Sequence, residues 1–412
     1  MSQDTGHTPL GKDGRPVRGT HPNFFFDDEW LALRTEEALE PDLPVVDPHH
    51  HLWERSVPYW VRQLLEDLRC GHNIRGTVYV EAGAMYRADG DTHRASLGEV
   101  EYANGVAAAF ASGYYGALRA CAGIVGKVDL RHHGAAAEEL LQACIARAPD
   151  RFRGVRNMAA LDSSPEVSQI AVPPIQDLML DRRFREGFAK LAPLRLSFDS
   201  YCYHPQLPQL VDLVDAFPET RIIINHCGAR VGQGPYAGRK DEVFAEWKTS
   251  IQTLAERPNV FMKIGGLIGR LTGLTFIDQE LPPTSNELAD AWRPTIETCI
   301  EAFGPERCMF ESNFLRISPA CRLSSCGIHS NALSRTIPTP RRHCSFPALP
   351  STLTDYPSPW ERRSEVGVLS TYRRRDKAIS GEPTVRKAPD AGLSSSCSTN
   401  PATERTRFAE SS

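Results

Sequence analysis

Eight short apolar segments alternate with amphipathic segments between residues 44 and 314, and this alternation constrains the fold more than any other feature. The apolar segments have the length and composition of β-strands, and they span residues 44–52, 76–82, 120–130, 152–157, 194–204, 221–228, 259–267 and 308–314. Helix-like segments between them include residues 100–113, 135–148, 206–218 and 286–304. Strands that alternate with helices favour βα units and a parallel sheet.

Eight such units in this length of chain predict a closed (β/α)8 TIM barrel, a fold that usually needs about 250 residues. The alternative, an open doubly wound sheet, usually carries a Gly-rich phosphate loop after an early strand, and the sequence has none. We therefore divide the chain into an N-terminal arm (1–43), the barrel (44–314) and a C-terminal tail (315–412). The arm is expected to contain a short helix within residues 27–41.

The tail differs from the barrel in charge, composition and hydrophobic periodicity. It holds 15 Lys and Arg against 8 Asp and Glu, it is rich in Pro, Ser and Arg, and it has no helical or strand period. Three interpretations are open: a nucleic-acid-binding extension, a disordered extension, and translation out of frame. No aromatic or motif pattern supports the first. The scarcity of Lys beside abundant Arg favours an out-of-frame product.

Composition limits the class of protein. The net charge is −4, hydrophobic residues make up 41%, and no apolar run is long enough to span a membrane. The 11 cysteines have no regular spacing, which argues against a disulfide framework. We expect a cytoplasmic protein that binds a small-molecule substrate, without nucleic-acid or membrane partners, and the sequence leaves open a homo-oligomer.

The first strand ends in three consecutive histidines. Side chains alternate between the two faces of a strand, so Asp47, His49 and His51 share one face. A solvated loop, or core histidines bonded to backbone carbonyls, would explain a single imidazole. Two imidazoles on one face favour a metal or catalytic site, because neutral imidazole is a common ligand of zinc and similar ions.

Polar side chains also follow the other strands of the predicted barrel. Active sites of TIM barrels lie at the carboxyl ends of the strands, where side chains from distant segments meet. The candidates at that rim are Glu81, Lys127, Asp129, Arg156, Asn157, Asp199, His204, Asn225, His226, Lys263, Glu311, Ser312 and Asn313. Together with His49 and His51, His204 and His226 bring four histidines to this rim, which strengthens the prediction of a metal or acid/base site.

These segments resemble the amidohydrolase superfamily, and its amidohydrolase-related branch in particular. The resemblance runs from about residue 30 to residue 314 and depends on four motifs in order: "VVDPHHHLW", "YCYHPQLPQL", "INHCG" and "CMFESNF". It implies a TIM barrel and a metal-dependent hydrolase, lactonase or decarboxylase. It also implies His49 and His51 as metal ligands, His204 as the third ligand, and His226 as a catalytic residue that binds the metal or orients substrate.

The resemblance further implies one divalent metal, zinc by preference. The bridging lysine that the superfamily places at the end of strand 4 has no counterpart in "FRGVRN", so a second metal is not expected. Some lactonases of this branch work without metal, which keeps a metal-free mechanism open.

Four further side chains are candidates for the site, and those of Glu81 and Arg156 have structural alternatives. Asn313 occupies the position where the family often has a catalytic aspartate, although an amide cannot act as a base. Glu81 either supports His49 and His51 or is a rim charge. Arg156, with Asn157 beside it, either holds a substrate carboxylate or forms a salt bridge with a neighbouring acid.

The sequence therefore predicts hydrolysis of a small lactone or amide by a metal-activated water. Two rivals remain open: a decarboxylase of a small aromatic or unsaturated acid on the same scaffold, and a barrel that has lost catalysis. Asn313 and the unusual tail motivate the second rival.

Overall fold

The computed structural model describes residues 30–313 except 31, 55–57, 70, 169–174, 268 and 269. Every predicted strand is present, most of them shorter than expected. The strands are β1 (Pro44–His50), β2 (Asn73–Val80), β3 (Arg119–Gly126), β4 (Phe152–Met158), β5 (Ser197–Tyr201), β6 (Ile222–Ile224), β7 (Val260–Ile264) and β8 (Cys308–Phe310). Neighbouring strands are parallel and follow the chain order from β1 to β8. The fold is a nearly closed (β/α)8 barrel, as predicted.

Helices lie between successive strands. In the described part of the chain they are α1 (Val61–Leu68), α2 (Leu97–Ala111), α3 (Leu130–His133), α4 (Ala137–Arg147), α5 (Arg182–Phe188), α6 (Leu207–Ala216), α7 (Lys240–Ala255) and α8 (Ser285–Phe303). None of them is both long enough and apolar enough to cross a membrane.

Local sequence explains where these elements begin and end. Strand β6 is a run of three isoleucines, which suits a parallel strand buried on both faces. Helix α8 begins with a capping box, in which Thr284 Oγ1 accepts from the Glu287 N–H and the Glu287 carboxylate accepts from the Thr284 N–H. It ends at Gly304, whose φ of 73° is readily adopted only by glycine.

A side-chain contact joins the first and last strands. The carboxylate of Asp47 accepts hydrogen bonds from Ser312 N (3.0 Å) and Ser312 Oγ (2.6 Å). Within the described residues no strand ladder connects β8 to β1. The Asp47–Ser312 contact therefore holds the carboxyl end of β8 beside that of β1.

The N-terminal arm differs from its prediction. Trp30 and Ala32 are helical, but residues 34–38 have no regular secondary structure, so the expected helix over 27–41 is wrong in its second half. Trp30 is buried and donates its Nε1–H to Gln279 O at 3.0 Å, so tertiary contacts determine the path of the arm. The predicted tail, residues 315–412, lies outside the described residues.

Candidate metal centre

The carboxyl end of β1 carries two buried imidazoles on the inner face of the barrel. His49 is fully buried and His51 is 2% exposed. Their Nε2 atoms lie 3.2 Å apart. Asp47 accepts a hydrogen bond from the His49 N–H at 3.2 Å, and burial raises the pKa of this carboxyl to about 7. The alternation of side chains along the strand thus brings these three groups together, as the sequence predicts.

A backbone carbonyl orients the ring of His51. The Nδ1 atom lies 2.8 Å from Val80 O, and a carbonyl only accepts, so Nδ1 carries the ring proton. Nε2 then keeps its lone pair and faces His49 Nε2. Metal-bound histidines commonly use their second nitrogen in this way to fix ring and tautomer.

Glu311 follows β8 and lies between two imidazoles. Its Oε1 atom is 2.5 Å from His226 Nδ1 and accepts the His226 backbone N–H at 3.1 Å. Its Oε2 atom is 2.8 Å from His49 Nδ1 but forms no hydrogen bond in the described structure. The Nε2 atom of His226 is also buried without a partner among the described residues. Two orphaned ligand atoms therefore lie in one buried group.

Two glycines at the end of β7 make room for this group. A Cβ atom on Gly265 would lie 2.5 Å from Glu311 Cγ, and one on Gly266 would lie 2.6 Å from His226 Nδ1. Gly266 also has a φ of 62°. His226 and the next residue, Cys227, both have a φ of 54°. Non-glycine residues rarely adopt this conformation, and such strain clusters at functional sites.

Two buried ion pairs flank His49. Arg156 donates to Glu81 Oε1 (2.8 Å) and to the Glu81 carbonyl (2.5 Å), while its NH1 atom lies 3.3 Å from His49 Nε2. Lys263 donates to Asp199 at 2.6 Å and lies 3.4 Å from His49 Nδ1. Burial, and then the Lys263 charge, lower the pKa of His49 well below its usual range. His49 is therefore neutral, as a metal ligand must be.

The donor set fits a divalent cation. His49, His226 and Glu311 each place one ligand atom within 4.8 Å of the others, and all three are buried. The carboxylates of Glu81 and Asp199 each pair with a lysine or arginine, whereas within the described residues the ion-pair partners of Glu311 are two imidazoles. A buried anion needs a compensating charge. Imidazole and carboxylate are ligands that zinc accepts.

His204 lies apart from this group. Among the described residues, the set that could hold a metal ion is His49, His226 and Glu311, and it does not include His204. Its Nδ1 atom accepts a hydrogen bond from Val231 N at 3.2 Å, which puts the ring proton on Nε2. Burial and the Arg230 charge lower the pKa of His204 to about 4, so the ring is neutral. A protonated Nε2 cannot coordinate a metal, and the predicted ligand role is not supported by this arrangement.

Asn157 and Asn313, two other predicted site residues, differ in their contacts. Asn157 donates Nδ2 to Val128 O (2.7 Å) and accepts the Leu130 N–H (3.1 Å), so it holds the start of α3. Asn313 is buried with a φ of 49°, and its Oδ1 atom has no partner among the described residues. Substrate binding by Arg156 and Asn157, and catalysis by Asn313 and Glu81, stay predictions.

Glu311 is the site residue that the sequence did not single out. The sequence marks it only as one of many polar residues at the rim, whereas the position at which the family often has aspartate is that of Asn313. Strand alternation gives no signal here, because β8 ends at Phe310 and both positions lie beyond it. The carboxylate in the group is therefore two positions before the one that the family pattern indicated.

The sequence is similar to several known proteins. A family model described as amidohydrolase matches residues 46–327. A Sinorhizobium fredii protein, the uncharacterized protein y4mH, is 28% identical over 289 residues, which cover 66% of this chain and 85% of that protein. The L-fucono-1,5-lactonase of Burkholderia ambifaria is 31% identical over 147 residues, which cover 35% of this chain and 43% of that enzyme.

Solved structures show a similar fold. An amidohydrolase from Burkholderia multivorans was solved once with bound zinc and once with bound HEPES, and the TM-scores to this chain are 0.54 and 0.53. Both structures are 19% identical to this chain and cover 74% of it, and the match spans 96% of their own length. At this identity the likeness concerns the barrel alone.

Proposed function

The chain belongs to the amidohydrolase family, and from that premise we propose that it is a metal-dependent hydrolase that opens a small lactone ring. One observation carries the proposal: a buried group of two imidazoles and a carboxylate, from His49, His226 and Glu311, in which Glu311 Oε2 and His226 Nε2 have no hydrogen-bond partner among the described residues. A purely structural cluster would be expected to satisfy its buried polar atoms.

Relatives suggest the class of substrate. The L-fucono-1,5-lactonases of Burkholderia ambifaria and Burkholderia multivorans are 31% and 25% identical to about a third of this chain. Their names support cyclic esters as the first substrates to test. An amide of similar size is the next choice, because both reactions add water to a carbonyl group.

We assign His49, His226 and Glu311 as ligands of one divalent cation, zinc by preference, with His51 beside them. A bound cation would supply Lewis acidity and lower the pKa of a coordinated water toward neutrality. The chain's own residues would hold the cation and orient the ligand atoms. His51 and His49 remain neutral donors of electron pairs, and the Val80 carbonyl keeps the His51 ring in the orientation this requires.

Glu311 is also the best candidate for the general base. Glu81 and Asp199 are neutralised by Arg156 and Lys263, and the amide of Asn313 cannot take a proton. Glu311 would accept the proton of the attacking water and return it to the ring oxygen when the acyl C–O bond breaks. The product is a hydroxy acid, and each turnover at neutral pH releases one proton to the medium.

A panel of sugar 1,5-lactones and simple lactones, followed by proton release at constant pH, tests this proposal. We expect turnover by the wild type, about one equivalent of metal per chain, and loss of activity after chelation that zinc restores. Glu311→Gln should lower kcat/KM by about 1,000-fold, since both a base and a charged ligand are lost. Glu301→Gln, an exposed glutamate near the end of α8, is the matched control and should leave kcat/KM unchanged.

A parallel panel of hydroxybenzoates, assayed for carbon dioxide, distinguishes the decarboxylase alternative. Carbon dioxide release without lactone opening would overturn the proposal. Full activity without bound metal would remove the cation from it and leave the histidines to act directly.

A further inference from the structure

A second buried imidazole lies at the same rim, outside the metal centre. His204 follows β5, is 3% exposed, and starts the single helical turn that leads into α6. Its ring meets the edge of Tyr236 at a centroid distance of 4.9 Å and an interplanar angle of 73°. Tyr236 in turn donates its hydroxyl to Asp162 Oδ2 at 2.8 Å. These contacts come from the segments after β4 and β6 and hold the ring in place.

The hydrogen-bonding state of this ring is determined by the backbone. The Val231 N–H can only donate, so His204 Nδ1 must offer a lone pair and Nε2 must carry the hydrogen. Nε2–H is buried and has no partner within the described residues. A buried donor without a partner costs about 1–3 kcal/mol. A buried donor without a partner calls for an explanation, and an acceptor that arrives with a ligand is one.

A small apolar cluster connects His204 with the metal centre. Its buried members come from the segments that end β4, β5 and β6, and they are Ala160, Val167, Tyr201, Tyr203, Ala229 and Val231. Tyr201 places its ring edge against His226 at 4.9 Å, and Tyr236, which packs on the cluster, contacts His204. His204 and His226, whose Nε2 atoms both lack a partner among the described residues, therefore border one cluster.

Charges of both signs act on His204: Arg230 lowers its pKa and Asp162 raises it, and the effect of Arg230 is the larger. Arg230 stacks on Phe244 (5.2 Å) and Trp247 (5.7 Å), and within the described part of the chain it forms no ion pair. Its charge also helps to keep His204 neutral, as the lowered pKa indicates. A neutral imidazole that donates through Nε2, close to a guanidinium that has no ion pair in the described part of the chain, suits an oxygen acceptor and disfavours a cation.

We propose that His204 recognises the substrate by donating its Nε2–H to an oxygen substituent, such as a hydroxyl or carboxylate, that lies away from the ester carbonyl. His204 is then a specificity residue and not a metal ligand. This inference rests on the proposed lactonase function for its substrate, but the state of the ring does not depend on that function. The favoured substrates are lactones with polar substituents, because an unsubstituted ring offers no acceptor at this position.

The experiment uses the full chain and four proteins: wild type, His204→Phe, His204→Gln and the control His72→Phe. Glutamine retains an N–H donor close to the position of Nε2, whereas phenylalanine keeps only the ring shape. His72 has the same kind of buried, unpartnered Nε2 but precedes β2, at the other end of the barrel. Bound metal is measured by elemental analysis, and kcat/KM is measured with D-glucono-1,5-lactone and with δ-valerolactone.

We expect His204→Phe to keep its metal and to lose selectivity for the hydroxylated lactone by about 10-fold, the value of one hydrogen bond to a neutral group. The loss should fall mainly on KM. His204→Gln should recover part of the selectivity, and His72→Phe should match the wild type. In ¹⁵N-histidine NMR spectra of the free protein, the His204 signal should show a neutral ring protonated at Nε2.

Three outcomes would overturn the inference. Loss of metal in both His204 variants would make His204 a ligand, and an Nδ1–H tautomer in the spectrum would exclude the donor. Unchanged selectivity in His204→Phe would show that the donor does not reach the substrate. If the wild type opens no lactone, the proposed function fails, while the metal content and the tautomer still decide the role of His204.

Discussion

Histidines gather at two places in this molecule, with opposite results. The buried group consists of His49, His51 and His226. The surface group consists of His93, His132 and His133. Both groups lie at or after the carboxyl ends of strands, and both bring three imidazoles together. Within the described residues, only the buried group supplies members of a set that could hold a metal ion.

The difference lies in what the neighbouring carboxylates bond to. At the surface, Asp91 accepts the His93 N–H and Asp129 accepts the His132 N–H, so both acids are used to cap short helical turns. The rings of His93 and His132 stack on each other at 3.4 Å. In the interior, Glu311 bonds to imidazole instead. The comparison teaches that a carboxylate directed at the rings, together with burial, distinguishes the candidate site from a cluster of histidines.

Removing two imidazoles from each group should separate them most clearly. In His49→Ala/His51→Ala the chain should lose its metal and at least about 1,000-fold in kcat/KM, because too few ligands remain. The matched variant His93→Ala/His132→Ala should keep its bound metal and its kcat/KM. Its free energy of unfolding should change by no more than about 0.5 kcal/mol. Elemental analysis and the lactone assay are the measurements. Equal metal contents in the two variants would contradict the distinction.

The next largest difference concerns the arginines beside the two groups. Arg156 is 2% exposed and pairs with Glu81 next to His49, whereas Arg131 pairs with Asp181 at the surface. Arg156→Met should lower the free energy of unfolding by about 3–5 kcal/mol, because it leaves a buried carboxylate unpaired. Arg131→Met should cost no more than about 1 kcal/mol. Urea denaturation at pH 7 compares them, and similar midpoints would show that Arg156 does not compensate a buried charge.

The buried region should also respond to pH. Glu99 is buried on α2 and accepts from the N–H groups of Ala82 and Ala84, next to Glu81, and burial raises its pKa to about 7. The folded protein therefore holds this proton more tightly than the unfolded chain does. Its contribution to stability is complete below pH of about 4.5 and is lost as the pH rises to about 7, a change of about 3 kcal/mol.

Glu99→Gln removes this titration and should be less sensitive to the rise in pH. Denaturation of both proteins at pH 5 and pH 8 measures the effect. The wild type should lose up to about 3 kcal/mol more than the variant between these values. Parallel losses in the two proteins would show that Glu99 titrates near its ordinary pKa in the folded state.

The smallest expected effect separates two glycines with similar backbone angles. A Cβ atom on Gly266, which has a φ of 62°, would touch the ring of His226, whereas one on Gly238, which has a φ of 76°, would meet no atom within 4 Å. Gly238→Ala should cost about 1 kcal/mol for the backbone alone. Gly266→Ala should cost about 2–3 kcal/mol, because the ring must also move. It should lower kcat/KM as well, and equal effects would show that the ring has room to move.

Much of the fold followed from the sequence. The strand-like runs and their alternation with helices predicted all eight strands, because a parallel strand buried on both faces has a nearly continuous apolar composition. Residues 34–38 in the arm were predicted wrongly as helix. Their contacts with the barrel, such as the bond from Ser285 N to Glu36 Oε1 at 2.9 Å, are not visible in a local pattern.

Part of the candidate site could also be predicted from the sequence. Alternation along β1 was enough to place Asp47, His49 and His51 on one face, and the chain order was enough to place His226 at the same rim. These conclusions depend on residues that are neighbours in sequence, or on a rule that holds for every barrel.

The tertiary structure alone decided which carboxylate and which imidazole take part. Glu311 joins His49 and His226 because Gly265 and Gly266 leave space for it, and those residues are distant in sequence. His204 carries its proton on Nε2 because a backbone N–H from another strand's loop meets Nδ1. The sequence determines which groups are available at the rim, but the direction of a lone pair depends on the atom that faces it, and only the folded chain brings that atom into place.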